Sequence, residues 1–180
     1  ENELKQCVES ISMQEGVEIK HVIISNQPEK QAHNELWKAW ADHKKIGYDM
    51  FVKVDADTTI RSKEAFKKAY DLIVKNGATA IQAPLYDHLS CTNINRLNIF
   101  STKVLFRTST DNLYCDRVDI NNTLILRDKS LPEEFRPIGD HCSRPSDMQA
   151  FHYGLHRTLK KQYELLKSVE SAYRNNIAHT

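Results

Sequence analysis

The first half of this 180-residue chain alternates between helical and extended hydrophobic patterns. Apolar residues at helical spacing predict three helices, over residues 3–14, about 30–44, and from a Ser62 N-cap to a stop at Asn76-Gly77. Apolar runs predict three strands, over residues 21–25, 49–54 and 79–83, with Pro84 closing the last. This order is typical of an α/β domain with a largely parallel sheet.

The second half is less regular. Mixed apolar segments over residues 94–107 and 117–127 predict strands of a mixed sheet. Residues 129–147 hold three of the five prolines, which predicts a loop. From about residue 147 to the end, the spacing of apolar residues predicts helices.

Composition limits the classes of function. We expect one domain over residues 1–180, because the length suits a single core and no linker interrupts it. With 25 basic and 24 acidic residues, nothing favours a nucleic-acid partner. The chain shows no signal peptide and no apolar run that would cross a bilayer, so we expect a cytoplasmic protein. The four cysteines form no Cys-x-x-Cys pair, so zinc and redox motifs are not indicated. Free thiols are expected, with a Cys91–Cys115 disulfide as the alternative.

The strongest local signal is the segment Phe51–Ile60, where an apolar run ends in Asp55 and Asp57. Two carboxylates at a strand end suit Mg²⁺ or Mn²⁺, and parallel sheets bind ligands at the carboxyl ends of their strands. An EF-hand is excluded, because Ile60 and Phe66 replace the required glycine and glutamate. The alternative is a structural role, in which the aspartates cap the following turn.

A second polar segment runs over residues 139–145, with the sequence Gly-Asp-His-Cys-Ser-Arg-Pro. His141 suits a metal site beside carboxylates, Asp140 suits a general base, and Arg144 suits a phosphate contact. The alternative is a surface loop in which Asp140 is a turn residue.

Two further sets of residues have weaker signals. His152, His156 and Lys160 are spaced to share one helical stripe, which would hold a diphosphate or would simply be a solvated face. Three aspartates on irregular segments are candidate bases or acceptor contacts, although each has a structural alternative: Asp87, Asp116 and Asp119.

Three segments together resemble family-2-like glycosyltransferases of the GT-A fold. Residues 4–26 resemble the family's opening helix and strand, and Phe51–Ile60 resembles its D-x-D segment. Gly139-Asp140-His141 with residues 149–154 resembles its C-terminal region. The family normally begins with an apolar strand, and this chain starts at the helix that follows, so the first strand is expected to be missing.

The resemblance implies a Rossmann-like fold with a mixed, mostly parallel sheet. It also implies a nucleotide-diphospho-sugar donor, a carbohydrate or lipid-linked acceptor, a Mn²⁺ or Mg²⁺ ion and an inverting transfer. Residues 1–90 would form the donor half and residues 91–180 the acceptor half. The implied metal ligands are Asp55, Asp57 and His141. The implied donor-site residues are Asp55, Asn26, Arg144 and Lys160.

Asp140 matches the position of the family's acidic base, but Asp-His stands here where the family usually has Glu-Asp. The base role of Asp140 and the metal role of His141 are therefore both carried forward, with polysaccharide biosynthesis as the expected setting.

Two rival functions stay open. The segment Asp55-x-Asp57-x-Thr59 also resembles the D-x-D-x-T motif of haloacid-dehalogenase-like phosphohydrolases, in which the first aspartate is a nucleophile. The other rival is a sugar-nucleotide-binding domain without catalytic activity.

Overall fold

The computed structural model describes residues 2–110 and 124–160. Within them lie four α-helices: α1 Asn2–Ser12, α2 Glu29–Lys45, α3 Ala65–Asn76 and α4 Asp147–Leu159. The same residues form six strands: β1 Met50–Lys53, β2 Thr58–Ile60, β3 Ala80–Asp87, β4 Thr92–Ser101, β5 Ile125–Arg127 and β6 Gly139–His141. Two short 3₁₀ helices precede β6: Asp128–Ser130 and Glu133–Phe135. The domain is mixed α/β, as the alternating pattern predicts.

The strands form one mixed sheet in the order β1-β4-β3-β6-β2, and β5 pairs with β3 beside that path. The prediction of a largely parallel sheet is wrong, because β1–β4, β3–β4 and β2–β6 are antiparallel. Only β3–β5 and β3–β6 are parallel among the described strands. The link from Asp87 to Thr92 is too short for the crossover that a parallel neighbour requires.

Strand β3 lies at the centre of the fold and carries buried Ile81, Ala83 and Leu85. The prediction that Pro84 closes this strand is wrong, since β3 continues to Asp87. The ladder with β4 shifts register between Ala83 and Pro84, which accommodates a residue without an N–H. The extension pairs Asp87 with His141, the last residue of β6.

The strand predicted over residues 21–25 is absent, because this segment has no regular secondary structure. Val22 and Ile23 are 39% and 56% exposed. A cleft of about 540 Å³ lies between this part of the chain and β1. A strand needs a hydrogen-bonded neighbour, and among the described residues β1 pairs only with β4 on its other side.

The predicted ends of helix α3 have different outcomes, and two further predictions fall outside the described residues. Helix α3 begins at Ala65, and Ser62 is not its N-cap, because the Ser62 hydroxyl accepts from the Glu64 N–H in the preceding turn. The stop at Gly77 is confirmed, with φ at 63° in the left-handed region. Residues 117–123 and the helices predicted beyond residue 160 lie outside the described residues.

The predicted loop over residues 129–147 contains strand β6, which is inserted between β2 and β3. Gly139 permits this close approach, since a Cβ there would lie 2.5 Å from the Thr59 carbonyl oxygen and 3.0 Å from a Leu85 methyl. Strand β6 places Asp140 and His141 inside the sheet rather than on a surface loop. In the part of the chain that is described, no helix has the length and apolar character that crossing a membrane requires.

We expect Gly139→Ala to lower the free energy of unfolding by about 1–3 kcal/mol, because its Cβ would force β2 away from β6. Gly154→Ala is the matched control, since a Cβ there meets nothing within 4 Å. It should raise stability by roughly 0.5–1 kcal/mol through helix propensity. Urea unfolding of both variants measures the difference, and equal effects would contradict the close packing of β6.

Candidate metal centre

Asp55 and Asp57 lie in the turn between β1 and β2, where the Thr58 N–H donates to the Asp55 carbonyl at 3.0 Å. Their carboxylates were expected to share one site, but they contact different side chains. Asp55 accepts from Lys53 Nζ at 2.7 Å and from Arg96 Nε at 3.0 Å. Burial opposes ionisation of Asp55, but the two cations outweigh it and hold its pKa far below the ordinary value. Asp55 is therefore a carboxylate with both oxygens engaged.

Asp57 faces a different set of side chains. Its Oδ2 lies 3.4 Å from His141 Nε2 and 3.2 Å from Cys142 Sγ. Its Oδ1 is buried and has no hydrogen-bond partner among the described residues. A buried carboxylate oxygen without a partner costs free energy, so it marks a position where a ligand would be bound favourably.

The sheet brings His141 and Cys142 to Asp57. Strand β6 pairs antiparallel with β2, so that His141 lies opposite Thr58, and the Cys142 N–H donates to the Asp57 carbonyl at 2.9 Å. Successive side chains of a strand point to opposite faces. Cys142 has φ at 50°, which ends the extended conformation after His141 and allows both side chains to reach Asp57.

Asp87 contacts the His141 ring nitrogen that does not face Asp57. The His141 Nδ1–H donates to Asp87 Oδ1 at 2.7 Å, and both residues are almost fully buried. Tyr153 donates to Asp87 Oδ2 at 2.8 Å, and the backbone N–H of Ser90 donates to it at 3.1 Å. Burial opposes the charge, but these hydrogen bonds lower the pKa of Asp87 to about 2. The bond to Asp87 leaves His141 Nε2 facing Asp57, as in histidines that bind metals.

Asp57, His141 and Cys142 together form a candidate metal-binding group, with one ligand atom from each within 4.8 Å of the others. Carboxylate, imidazole and thiolate are all common metal ligands. The expectation that Asp57 and His141 share a site is consistent with this geometry. Asp55, which was expected to be the third ligand, is not in the group, because Lys53 and Arg96 hold it.

The same atoms also resemble a nucleophilic Cys-His-Asp arrangement, since Cys142 Sγ lies 3.6 Å from His141 Nε2. A nucleophilic cysteine needs a lowered pKa. Here burial and then the neighbouring Asp57 carboxylate hold the pKa of Cys142 well above its usual value. The environment therefore keeps Cys142 protonated, which argues against an activated nucleophile.

Asp140 lies on a different face of β6 from His141, because neighbouring strand residues alternate. It accepts from Arg61 Nε at 2.8 Å and Nη2 at 2.6 Å, and His88 Nε2 lies 3.1 Å away. The Arg61 bond, opposed by partial burial, lowers the pKa of Asp140, and His88 adds to the effect. Asp140 is thus ionised and 21% exposed, so that a proton donor from solvent or a substrate could reach it.

The remaining sequence candidates are not part of the Asp57–His141–Cys142 group. Asn26 is exposed in a turn with φ at 57°, and Lys160 follows the last residue of α4. Arg144 is exposed, and its backbone N–H donates to Glu3 Oε1 at 2.9 Å. His152 and His156 do share a stripe, with their rings stacked at 5.1 Å. Asp116 and Asp119 lie outside the described residues.

The sequence analysis did not identify Cys142 as a candidate metal ligand or Arg96 as the ion-pair partner of Asp55. Cys142 could have been identified because it directly follows His141 and offers a sulfur ligand beside the imidazole. Arg96 gave no local signal, because its contact with Asp55 follows from the pairing of β1 with β4.

Comparison with known proteins identifies no relative: no family model, curated protein or solved structure matches this chain. The functional argument therefore depends on the residues and their geometry.

The Asp87–His141 pair should shape the pH dependence of stability. The pKa of Asp87 is lowered on folding, so its contribution is present above the unfolded value near 4 and is lost as pH falls towards 2. The pKa of His141 is raised, by Asp57 and Asp87 against the effect of burial. Its contribution is therefore complete below about pH 6.5 and is lost as pH rises through the folded value.

We expect Asp87→Asn to destabilise the protein by roughly 2 kcal/mol at pH 6 and by about 1 kcal/mol less at pH 3. Urea unfolding at a series of pH values measures this, with exposed Asp71→Asn on α3 as the control for loss of a carboxylate. A destabilisation that does not change between pH 6 and pH 3 would contradict a charged Asp87.

Proposed function

We propose that this chain is a metal-dependent glycosyltransferase that moves a sugar from a nucleotide-diphospho-sugar to an acceptor hydroxyl, with inversion. The observation that supports it most is the unpaired Oδ1 of Asp57, a residue just beyond the carboxyl end of β1 whose Oδ2 lies 3.4 Å from His141 Nε2. A divalent cation bound there would offset the charge that develops on the departing nucleoside diphosphate.

The charges around the centre suit an anionic donor. Lys53 and Arg96 lie beside Asp55. Burial opposes the charge of Arg96, but the Asp55 and Asp57 carboxylates outweigh it and hold its pKa well above the ordinary value. In the proposed complex, Asp55 is held in place by these cations and accepts from a donor ribose hydroxyl. Arg144, exposed two residues after Cys142, would contact the diphosphate.

Asp140 is the proposed general base. It is ionised at neutral pH, so it would accept the proton of the acceptor hydroxyl as that oxygen attacks the anomeric carbon. Arg61 reduces its basicity but fixes its orientation through two hydrogen bonds. His88, at 3.1 Å from Asp140, is placed to receive the proton afterwards.

The proposal includes a GT-A-like arrangement, in which β1 and its flanking helices form the donor side. The mixed α/β sheet and the position of Asp57 at a strand end support this assignment. The acceptor would be a carbohydrate or a lipid-linked sugar.

The two rivals differ in what they require of the same residues. A D-x-D-x-T phosphohydrolase needs Asp55 as a free nucleophile, whereas both its carboxylate oxygens are held by cations here. A non-catalytic sugar-nucleotide-binding domain needs the same donor contacts but no base, and only turnover separates it from the transferase.

We expect wild-type protein to bind a sugar nucleotide in a metal-dependent manner and to hydrolyse it slowly without an acceptor. Asp57→Asn should reduce both by at least roughly 100-fold, because a metal contributes several kcal/mol to stabilising the transition state. Asp42→Asn, which removes an exposed carboxylate on α2, is the control and should behave as wild type.

Calorimetry with a panel of sugar nucleotides, with and without Mn²⁺, measures binding, and release of the nucleoside diphosphate measures turnover. Binding without turnover would support the non-catalytic domain. Hydrolysis of an aryl phosphate that Asp55→Asn abolishes would support the phosphohydrolase. Absence of metal-dependent binding to every sugar nucleotide would contradict the proposed function.

A further inference from the structure

The Asp57–His141–Cys142 group has a chemistry that differs from that of an all-carboxylate site. Mg²⁺ and Ca²⁺ prefer oxygen ligands, whereas imidazole and thiolate together favour Zn²⁺ and similar cations. Only one of the three side chains offers oxygen. The type of ligand therefore argues against Mg²⁺, the ion that the two aspartates alone suggested.

The distances between ligand atoms give an independent argument. Tetrahedral coordination with Zn–O and Zn–N near 2.0–2.1 Å and Zn–S near 2.3 Å places neighbouring ligand atoms about 3.3–3.6 Å apart. The observed separations are 3.4 Å for Asp57 Oδ2 to His141 Nε2, 3.2 Å for Asp57 Oδ2 to Cys142 Sγ, and 3.6 Å for Cys142 Sγ to His141 Nε2. Octahedral coordination at about 2.1 Å would require about 2.9 Å between neighbours.

From these observations we propose that this group binds a four-coordinate cation of the Zn²⁺ class, with Cys142 as a thiolate ligand, in preference to Mg²⁺. Binding breaks the Cys142 S–H bond, forms the sulfur–metal bond and releases the proton to solvent. The S–H···Oδ2 contact with Asp57 is replaced by the two metal–ligand bonds. Three protein ligands leave a fourth position open, as in catalytic zinc sites.

The surroundings prepare the ligands for this role. The Nδ1–H bond to buried Asp87 fixes the His141 ring with Nε2 towards the other two ligands. Tyr153 and Ser90 complete the hydrogen bonds of Asp87, so this support does not depend on the metal. The identity of the cation rests on the ligand types and on the distances between them. The use of the open position for a diphosphate oxygen rests on the proposed function.

Titration of the apoprotein with Co²⁺ tests the proposal, because cobalt reports a thiolate ligand by a near-ultraviolet charge-transfer band and four-coordination by intense visible bands. We expect both bands to saturate at one Co²⁺ per chain. Stoichiometric Zn²⁺ should abolish them, and a large excess of Mg²⁺ should not. Absence of the charge-transfer band in folded wild-type protein would overturn the proposal, and so would equal competition by Mg²⁺.

Two variants test which cysteine gives rise to the charge-transfer band. Cys142→Ser should lose the charge-transfer band and bind Zn²⁺ at least roughly 10–100-fold more weakly. Cys91→Ser, which removes an exposed thiol outside the group, should retain the band and the affinity. A band that persists in Cys142→Ser would overturn the assignment. If Cys142→Ser does not fold, Asp57→Asn replaces it, and there weaker Co²⁺ binding with the band retained is expected.

The outcomes also separate this inference from the proposed function. A thiolate band with no binding of any sugar nucleotide would support the zinc-class site and contradict the transferase. Turnover that depends on Mg²⁺ in protein without a thiolate band would support the transferase and overturn the zinc-class site.

Discussion

The buried hydrogen bond between Asp87 and His141 is the interaction on which the candidate site depends. It joins the last residue of β3 to the last residue of β6, two strands that pair in parallel, at 2.7 Å and with almost no exposure of either side chain. A buried charge needs a partner, and each of these residues provides one for the other. The bond fixes the His141 ring, and the other ring nitrogen, Nε2, faces Asp57 and Cys142.

The two aspartates of the β1–β2 turn have separate roles, because they contact different side chains. Asp55 is neutralised by Lys53 and Arg96, so it contributes a fixed, ion-paired carboxylate rather than a free ligand. Asp57 retains an oxygen without a partner beside the histidine and the thiol. One motif therefore supplies both an ion-paired carboxylate and one member of a candidate metal-binding group.

The local parts of this structure were predictable from sequence. Helices α1 and α2, strand β1 and the stop at Gly77 follow from hydrophobic spacing and from glycine's access to positive φ. The shared position of Asp57 and His141 was predicted from ligand chemistry. The order of strands was not predictable, because the insertion of β6 between β2 and β3 depends on long-range packing at Gly139. For the same reason, the supporting role of Asp87 could not be derived from its place in the chain.

A crystal structure of the Zn²⁺-loaded protein, with anomalous diffraction at the zinc edge, tests the central claim most directly. We predict one strong peak, at about 2.3 Å from Cys142 Sγ and about 2.0–2.1 Å from His141 Nε2 and from an Asp57 carboxylate oxygen. The Asp87–His141 hydrogen bond should be unchanged. A zinc peak elsewhere, or a loaded crystal in which Asp57 and His141 pair directly with no metal between them, would contradict the account.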